Sequence, residues 1–218
     1  MALAALACSF AAEQTAPSQE ASAAAKEQAT ETKGLPARAA PTDYQSRAKV
    51  GKLTVAADFQ VHAVPTPEAT FNNEDYVVVE VAIFGPPDAR VKLSPNDFSL
   101  RINEKKNALD SRPPSTTFSS LKDPSWEPPD TGASKSKNGI NAGGGGQQDS
   151  APVVVHMPFP LQRAMEQKVM KAALPEGDRA LPQAGLLFFS YHGKEKGIHS
   201  VELTYQGPDG KALLRLTP

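Results

Sequence analysis

The stretch Tyr76-Val-Val-Val-Glu-Val-Ala-Ile-Phe84 decides the class of this chain. Val77, Val79, Val81 and Ile83 fall on one side, and Tyr76, Glu80 and Phe84 on the other. A period of two is the mark of an extended strand with one face turned to a core. Gly85-Pro86-Pro87-Asp88 then breaks the run, because glycine and proline favour turns and proline cannot continue a ladder.

The same alternation continues outward in both directions. Upstream, Leu53, Val55, Ala57, Phe59 and Val61 alternate with Thr54, Asp58, Gln60 and His62. Downstream, Val91 and Leu93 flank Lys92, and Phe98, Leu100 and Ile102 alternate with Ser99, Arg101 and Asn103. Ser94-Pro95-Asn96-Asp97 lies between them as a turn. Asn103 to Asn107 reads as a hairpin turn into Ala108 and Leu109. Near the C-terminus, Leu186 to Tyr191 is an apolar run suited to a central strand. Val201, Leu203 and Tyr205 alternate with Ser200, Glu202 and Thr204, and Gly207-Pro208-Asp209-Gly210 turns the chain into Ala212 to Leu216. Seven or eight short strands separated by turns predict an all-β, antiparallel, immunoglobulin-like sandwich over residues 50–218.

Two segments interrupt this pattern. Residues 111–151 lose all periodicity and are dominated by Pro113-Pro114, Pro128-Pro129 and the Gly143 to Gly146 run, so they are expected to form a flexible insertion. Trp126, the single tryptophan, lies inside it. It reads either as an aromatic anchor for a partner or as a cap folded back on the sandwich edge. Val153 to Val155 suit a short strand. Residues 160–174 predict one helix, with Pro160 in its first turn, Leu161, Ala164, Met165, Val169 and Ala172 or Ala173 along one side, and Pro175 and Gly177 beyond its end.

The N-terminal part has a different composition. Residues 1–12 are apolar and end in small residues, which reads as an export signal remnant. Cleavage near Ala11 or Ala12 and lipid attachment at Cys8 are the two processing routes it suggests. Residues 13–49 are rich in Ala, Gln, Glu, Thr, Ser and Pro, and are expected to be a disordered tether. An extracytoplasmic location follows as the expectation, in the periplasm, envelope or medium. Contact with a membrane is expected only through that signal or anchor.

Composition narrows the function classes further. The 23 basic and 24 acidic residues give a net charge of −1, and Lys135, Lys137, Lys194 and Lys196 are scattered among acids. No nucleic-acid surface is expected from such a balance. Cys8 is the only cysteine, so no internal disulfide can form.

Tyr76 to Phe84 followed by Val91-Lys-Leu-Ser-Pro-Asn-Asp-Phe-Ser-Leu-Arg-Ile102, with the later Gly185-Leu-Leu-Phe-Phe189, resembles the small extracytoplasmic immunoglobulin-like domains of bacterial envelope lipoproteins. The match spans about half of the chain. That resemblance implies a sandwich fold, and because the family has no established active site, nothing catalytic carries over from it. The Gly85-Pro86-Pro87 turn and the long insertion depart from its pattern.

A search for chemistry leaves one metal hypothesis. His156, Met157, Met170 and His192 loosely resemble the His/Met sets of periplasmic copper chaperones, since imidazole and thioether suit Cu(I). Coincidence and core filling by Met170 are the plainer reading, so no metal site and no cofactor are assigned. His62 and His199 read as strand-surface residues. No Gly-x-Ser-x-Gly elbow occurs, and the Gly143 to Gly146 run lacks the Lys-Ser/Thr of a phosphate loop. The expectation is a non-enzymatic envelope module that binds an unidentified envelope protein or serves a structural role. The alternatives are a copper carrier and an accessory domain of an envelope hydrolase.

Overall fold

The computed structural model describes residues 33–128 and 156–218. Cys8, residues 13–32 of the expected tether, residues 129–151 of the insertion and the Val153 to Val155 strand lie outside them.

Thirteen strands occur among the described residues: β1 (Ser46–Val50), β2 (Leu53–Phe59), β3 (Ala63–Pro65), β4 (Thr70–Asn73), β5 (Tyr76–Phe84), β6 (Arg90–Leu93), β7 (Phe98–Ile102), β8 (Leu109–Arg112), β9 (Leu121–Lys122), β10 (Gly177–Ala180), β11 (Gln183–Ser190), β12 (Val201–Gly207) and β13 (Gly210–Leu216). One helix, α1 (Phe159–Ala172), joins them. Eight strands form a single antiparallel sheet in the order β1-β2-β5-β11-β8-β7-β12-β13. The small sheets β6-β10 and β3-β4-β9 sit apart from it.

The alternating residues explain how this sheet folds over. Val77, Val79, Val81 and Ile83 of β5 share one core with Leu187 and Phe189 of β11, Leu100 of β7, Leu203 of β12 and Leu214 of β13. A sheet whose inner faces all meet must roll, and β13 comes back against β1. The molecule is therefore an all-β sandwich approaching a barrel, with its two edge strands β1 and β13 brought close to each other.

The outer face of the β2-β5-β11 region is buried as well. Val78 and Phe188 join Met165, Val169 and Ala172 of α1 in a second apolar cluster. Ala56, Ala82 and Ala184 are covered by Tyr44, with Leu35 and Ala37 beside them. The described end of the expected tether is thus not a tether. Leu35 bridges Ala184 of β11, Pro41–Asp43 form a short 3-10 turn, and β1 pairs with β2 from Ser46↔Ala57 to Val50↔Leu53. The segment carries no alternating apolar pattern, because it covers the small side chains of Ala56, Ala82 and Ala184 with a few isolated residues and with hydrogen bonds from Arg38.

The helix begins at Phe159 with Pro158 as its N-cap residue. Only Met165, Val169 and Ala172 are buried, while Leu161 and Phe159 stand exposed at 50% and 63%. The apolar stripe is therefore narrower than the sequence suggests, and Ala164 is not part of it.

The first part of the insertion is also ordered. Ser111 and Arg112 pair with Phe189 and Phe188, residues Pro114–Ser120 form a 3-10 helix, and β9 joins β4. What orders it is Asn73, wholly buried. Its Nδ2 donates to the Thr117 carbonyl at 2.8 Å and its Oδ1 accepts from Ser120 Oγ at 2.8 Å. Polar locking of this kind leaves no hydrophobic period to read.

Candidate functional site

Trp126 follows directly from that locked segment. β9 is held by β4 through Asn72↔Lys122 and Asn73↔Leu121. The chain then turns on Asp123, whose Oδ1 accepts from the Ser125 N–H at 2.9 Å and the Ser125 hydroxyl at 2.6 Å. The Trp126 N–H closes the turn on the Asp123 carbonyl at 3.2 Å. A short side-chain-capped turn of this type fixes the direction of the residue after it.

The turn leaves Trp126 half-buried, bordering two clefts. One cleft, of about 570 Å³, has Phe118, Leu121, Met157 and Met165 as its apolar lining and is bordered by Gln162 and Glu166 of α1. The other, of about 620 Å³, lies beside β3 and β4 and is bordered by His62, Glu74, Asp123 and Glu195. Lys122, Asp123 and Trp126 border both clefts. Glu74 is paired with Lys122 at 2.6 Å.

His62 enters the second cleft in a defined state. Its Nδ1 lies 2.8 Å from the Asn73 carbonyl and 2.9 Å from the Tyr76 carbonyl. Both partners only accept, so Nδ1 is the nitrogen that donates to them. His62 is thus part of a loop junction, and its place on a strand surface in the sequence reading is corrected: it follows β2 and fastens β4 to β5.

The remaining histidines and methionines are dispersed. His156 and Met157 border the Trp126 cleft, Met170 borders a different hollow, and His192 borders a third. His192 Nδ1 instead meets Asp75 Oδ1 at 3.2 Å. The four candidates for copper are therefore not brought together. Among the described residues no group of three or more His, Cys, Asp or Glu side chains is placed to hold a metal ion. No helix among them is long and apolar enough to cross a membrane.

One polar cluster escaped the sequence reading. Asp58 of β2 and Glu80 of β5 are Cα partners on the outer face of the sheet, and both are buried. Arg38, from the segment that crosses this face, bridges them, with Nη2 2.9 Å from Glu80 Oε2 and in contact with Asp58 Oδ2. Its guanidinium stacks 4.3 Å above the centre of the Tyr44 ring, and the Arg38 N–H donates to the Tyr44 hydroxyl at 3.1 Å. The Gln45 N–H also donates to Asp58. Burial pushes the Glu80 carboxyl above the usual carboxylate range, against the opposing pull of Arg38. Burial works to lower the Arg38 pKa, but the hydrogen bond Arg38 donates to Asp58 and the charge of Glu80 leave it raised. The available signal was a single acid inside each of two neighbouring apolar strands. Neither cleft at Trp126 includes these acids, so they fasten the fold and do not form part of that site.

Comparison with known protein families, curated proteins and solved structures gives no match to this chain.

Proposed function

We propose that this chain is a non-enzymatic recognition module of the cell envelope that engages a protein partner through Trp126 and the clefts it borders. The observation that carries the reading is the half-buried Trp126, which borders two clefts and sits on a turn capped by Asp123. Exposed tryptophan is costly in water and is enriched where interfaces place their binding energy, because one rigid side chain covers a large apolar area. The apolar lining of Phe118, Leu121 and Met157 in one cleft and the carboxylates of the other offer a partner both a greasy contact and a polar rim. The separation of His156, Met170 and His192 favours recognition over copper carriage. The extracytoplasmic setting rests on the N-terminal composition and on the resemblance to envelope immunoglobulin-like domains.

The test is site-specific photo-crosslinking in the producing cell. A benzophenone amino acid at position 126 is expected to give a discrete adduct. The same group at Leu213, an exposed residue of β13, is expected to give none. No adduct at position 126, or equal adducts at both positions, would reject the reading.

A further inference from the structure

A second hollow opens at the C-terminal end of α1, and it has the opposite electrostatic character. Its volume is about 350 Å³, within the range of small-molecule sites. It arises from the way the second edge of β11 is covered. Leu35 bridges that strand at Ala184, Ala173 bridges it at Leu186, and β8 pairs with it only at Phe188 and Phe189. Three separate segments share one edge, and the space between the Ala173 crossing and β8 stays open. Leu174, Leu186, Leu187 and Phe188 line its base and are almost wholly buried, while Met170, Pro113 and Pro114 give it accessible apolar surface.

The rim carries Lys33, Arg112 and Arg179 against one carboxylate, Glu176. This excess of cations stands out in a chain whose net charge is −1. Arg179 is oriented by its Nε and Nη2, which donate to the Glu176 carbonyl at 3.2 and 3.0 Å. Arg112 and Lys33 make no side-chain ion pair or hydrogen bond among the described residues. A helix C-terminus disfavours an anion. Here the Lys171 and Val169 carbonyls of α1 already accept from Gly34 and Ala173 at 2.7 and 3.0 Å, and the three cations outweigh the residual dipole.

We propose that this hollow binds a small anionic amphiphile, a free carboxylate with an alkyl body of about a dozen heavy atoms, taking roughly 30 Å³ for each. The alkyl body lies against Met170, Pro113 and Pro114, and Arg112 and Arg179 meet the carboxylate. Guanidinium is the group suited to that contact, since its fork matches two carboxylate oxygens. Apolar walls beside the charges strengthen the pairing by excluding water.

Titration calorimetry of the full chain with decanoate, below its micelle concentration, tests the site. Saturable binding of one decanoate per chain is expected. Arg112→Gln and Arg179→Gln are each expected to weaken it about tenfold, while Lys194→Gln, on a distant turn, leaves it unchanged. Decanol, which has the same chain without the charge, is expected to bind at least tenfold more weakly. Matching thermal melts for the variants exclude unfolding as the cause. Absence of saturable binding, equal binding of decanol, or indifference to both arginine substitutions would overturn the proposal.

Discussion

β5 places Val77, Val79, Val81 and Ile83 on its inner face and Val78, Glu80 and Ala82 on its outer face, and all seven are buried. The inner face meets other strands through apolar side chains. The outer face meets α1 at Val78 and the segment around Leu35 and Tyr44 at Ala82, with a bridged pair of acids between. Equal burial thus rests on two different balances. One is area and shape. The other is the compensation of desolvated charge, which is lost if any one partner is removed. The inner face should accordingly respond to volume and the outer face to charge and pH.

Phe188 and Phe189 give the most direct comparison, because these neighbours on β11 point to opposite faces and are each fully buried. Phe189→Ala is expected to cost about 3–5 kcal/mol of unfolding free energy in urea titration. Phe188→Ala should cost the same if α1 packs as tightly as a strand does. A value below about half of the Phe189 result would mean that the helix cover relaxes into the gap, and would separate the two faces on packing as well as on charge.

Arg38→Met attacks the outer face through its charge. It leaves Asp58 and Glu80 facing each other without a cation, so at neutral pH a loss of about 2–3 kcal/mol is expected, below the range for a fully enclosed pair because Arg38 retains some exposure. The double variant with Glu80→Gln should recover a large part of that loss. If the double variant is no more stable than Arg38→Met, the stacking on Tyr44 and not the ion bridge holds the segment.

Gly185→Ala asks how closely the chain at Ala173 and Leu174 crosses the edge of β11. A Cβ at Gly185 would lie 2.4 Å from the Leu174 Cα, which is backbone and cannot swing aside. Overpacking of about 1–3 kcal/mol is expected, read as a lower denaturation midpoint. Gly34 shows a related constraint, with φ of +105° and the Ala184 carbonyl at 2.3 Å from a built Cβ.

Glu80 also gives the outer face a pH dependence. Its pKa is raised in the folded chain, so the ionised form is the one the fold disfavours. Relative to an ordinary glutamate of about 4.3, this group contributes stability in acid, and that contribution is lost as pH rises through the raised value. Glu80→Gln should flatten that part of the profile of melting temperature against pH. An unchanged slope would place the titration elsewhere.

These two faces were not equally legible in the sequence. Alternation at Leu53 to Phe59, Tyr76 to Phe84 and Val201 to Tyr205 reveals the inner face because a strand with one apolar side must turn that side inward. The outer face leaves no such trace. Its cover is made by Gly34, Leu35, Arg38 and Tyr44, a stretch whose composition matches a linker and whose contacts lie far away in the chain. Trp126 could be singled out as the sole tryptophan, but not placed, since Asn73 and Asp123 position it through hydrogen bonds that have no period. The pocket at Arg112 and Arg179 was invisible for the same reason: its residues come from β8, β10, β11 and the end of α1, which lie far apart in the chain and partly in different sheets.

Tyr205→Phe should produce the smallest effect, with a sign that matters. Tyr205 lies on the inner face, 1% exposed, its ring 5.0 Å from that of Phe98 at a 45° tilt. Its hydroxyl is buried with no hydrogen-bond partner among the described residues. An unpaired hydroxyl removed from water is a penalty the fold carries, while the ring supplies the packing. Deleting the oxygen should therefore leave stability unchanged or raise it by up to about 1 kcal/mol, measured as a shift in denaturation midpoint at constant slope. A loss above about 1 kcal/mol would show the hydroxyl to be satisfied, and the inner face would then share the polar dependence now seen only around Arg38.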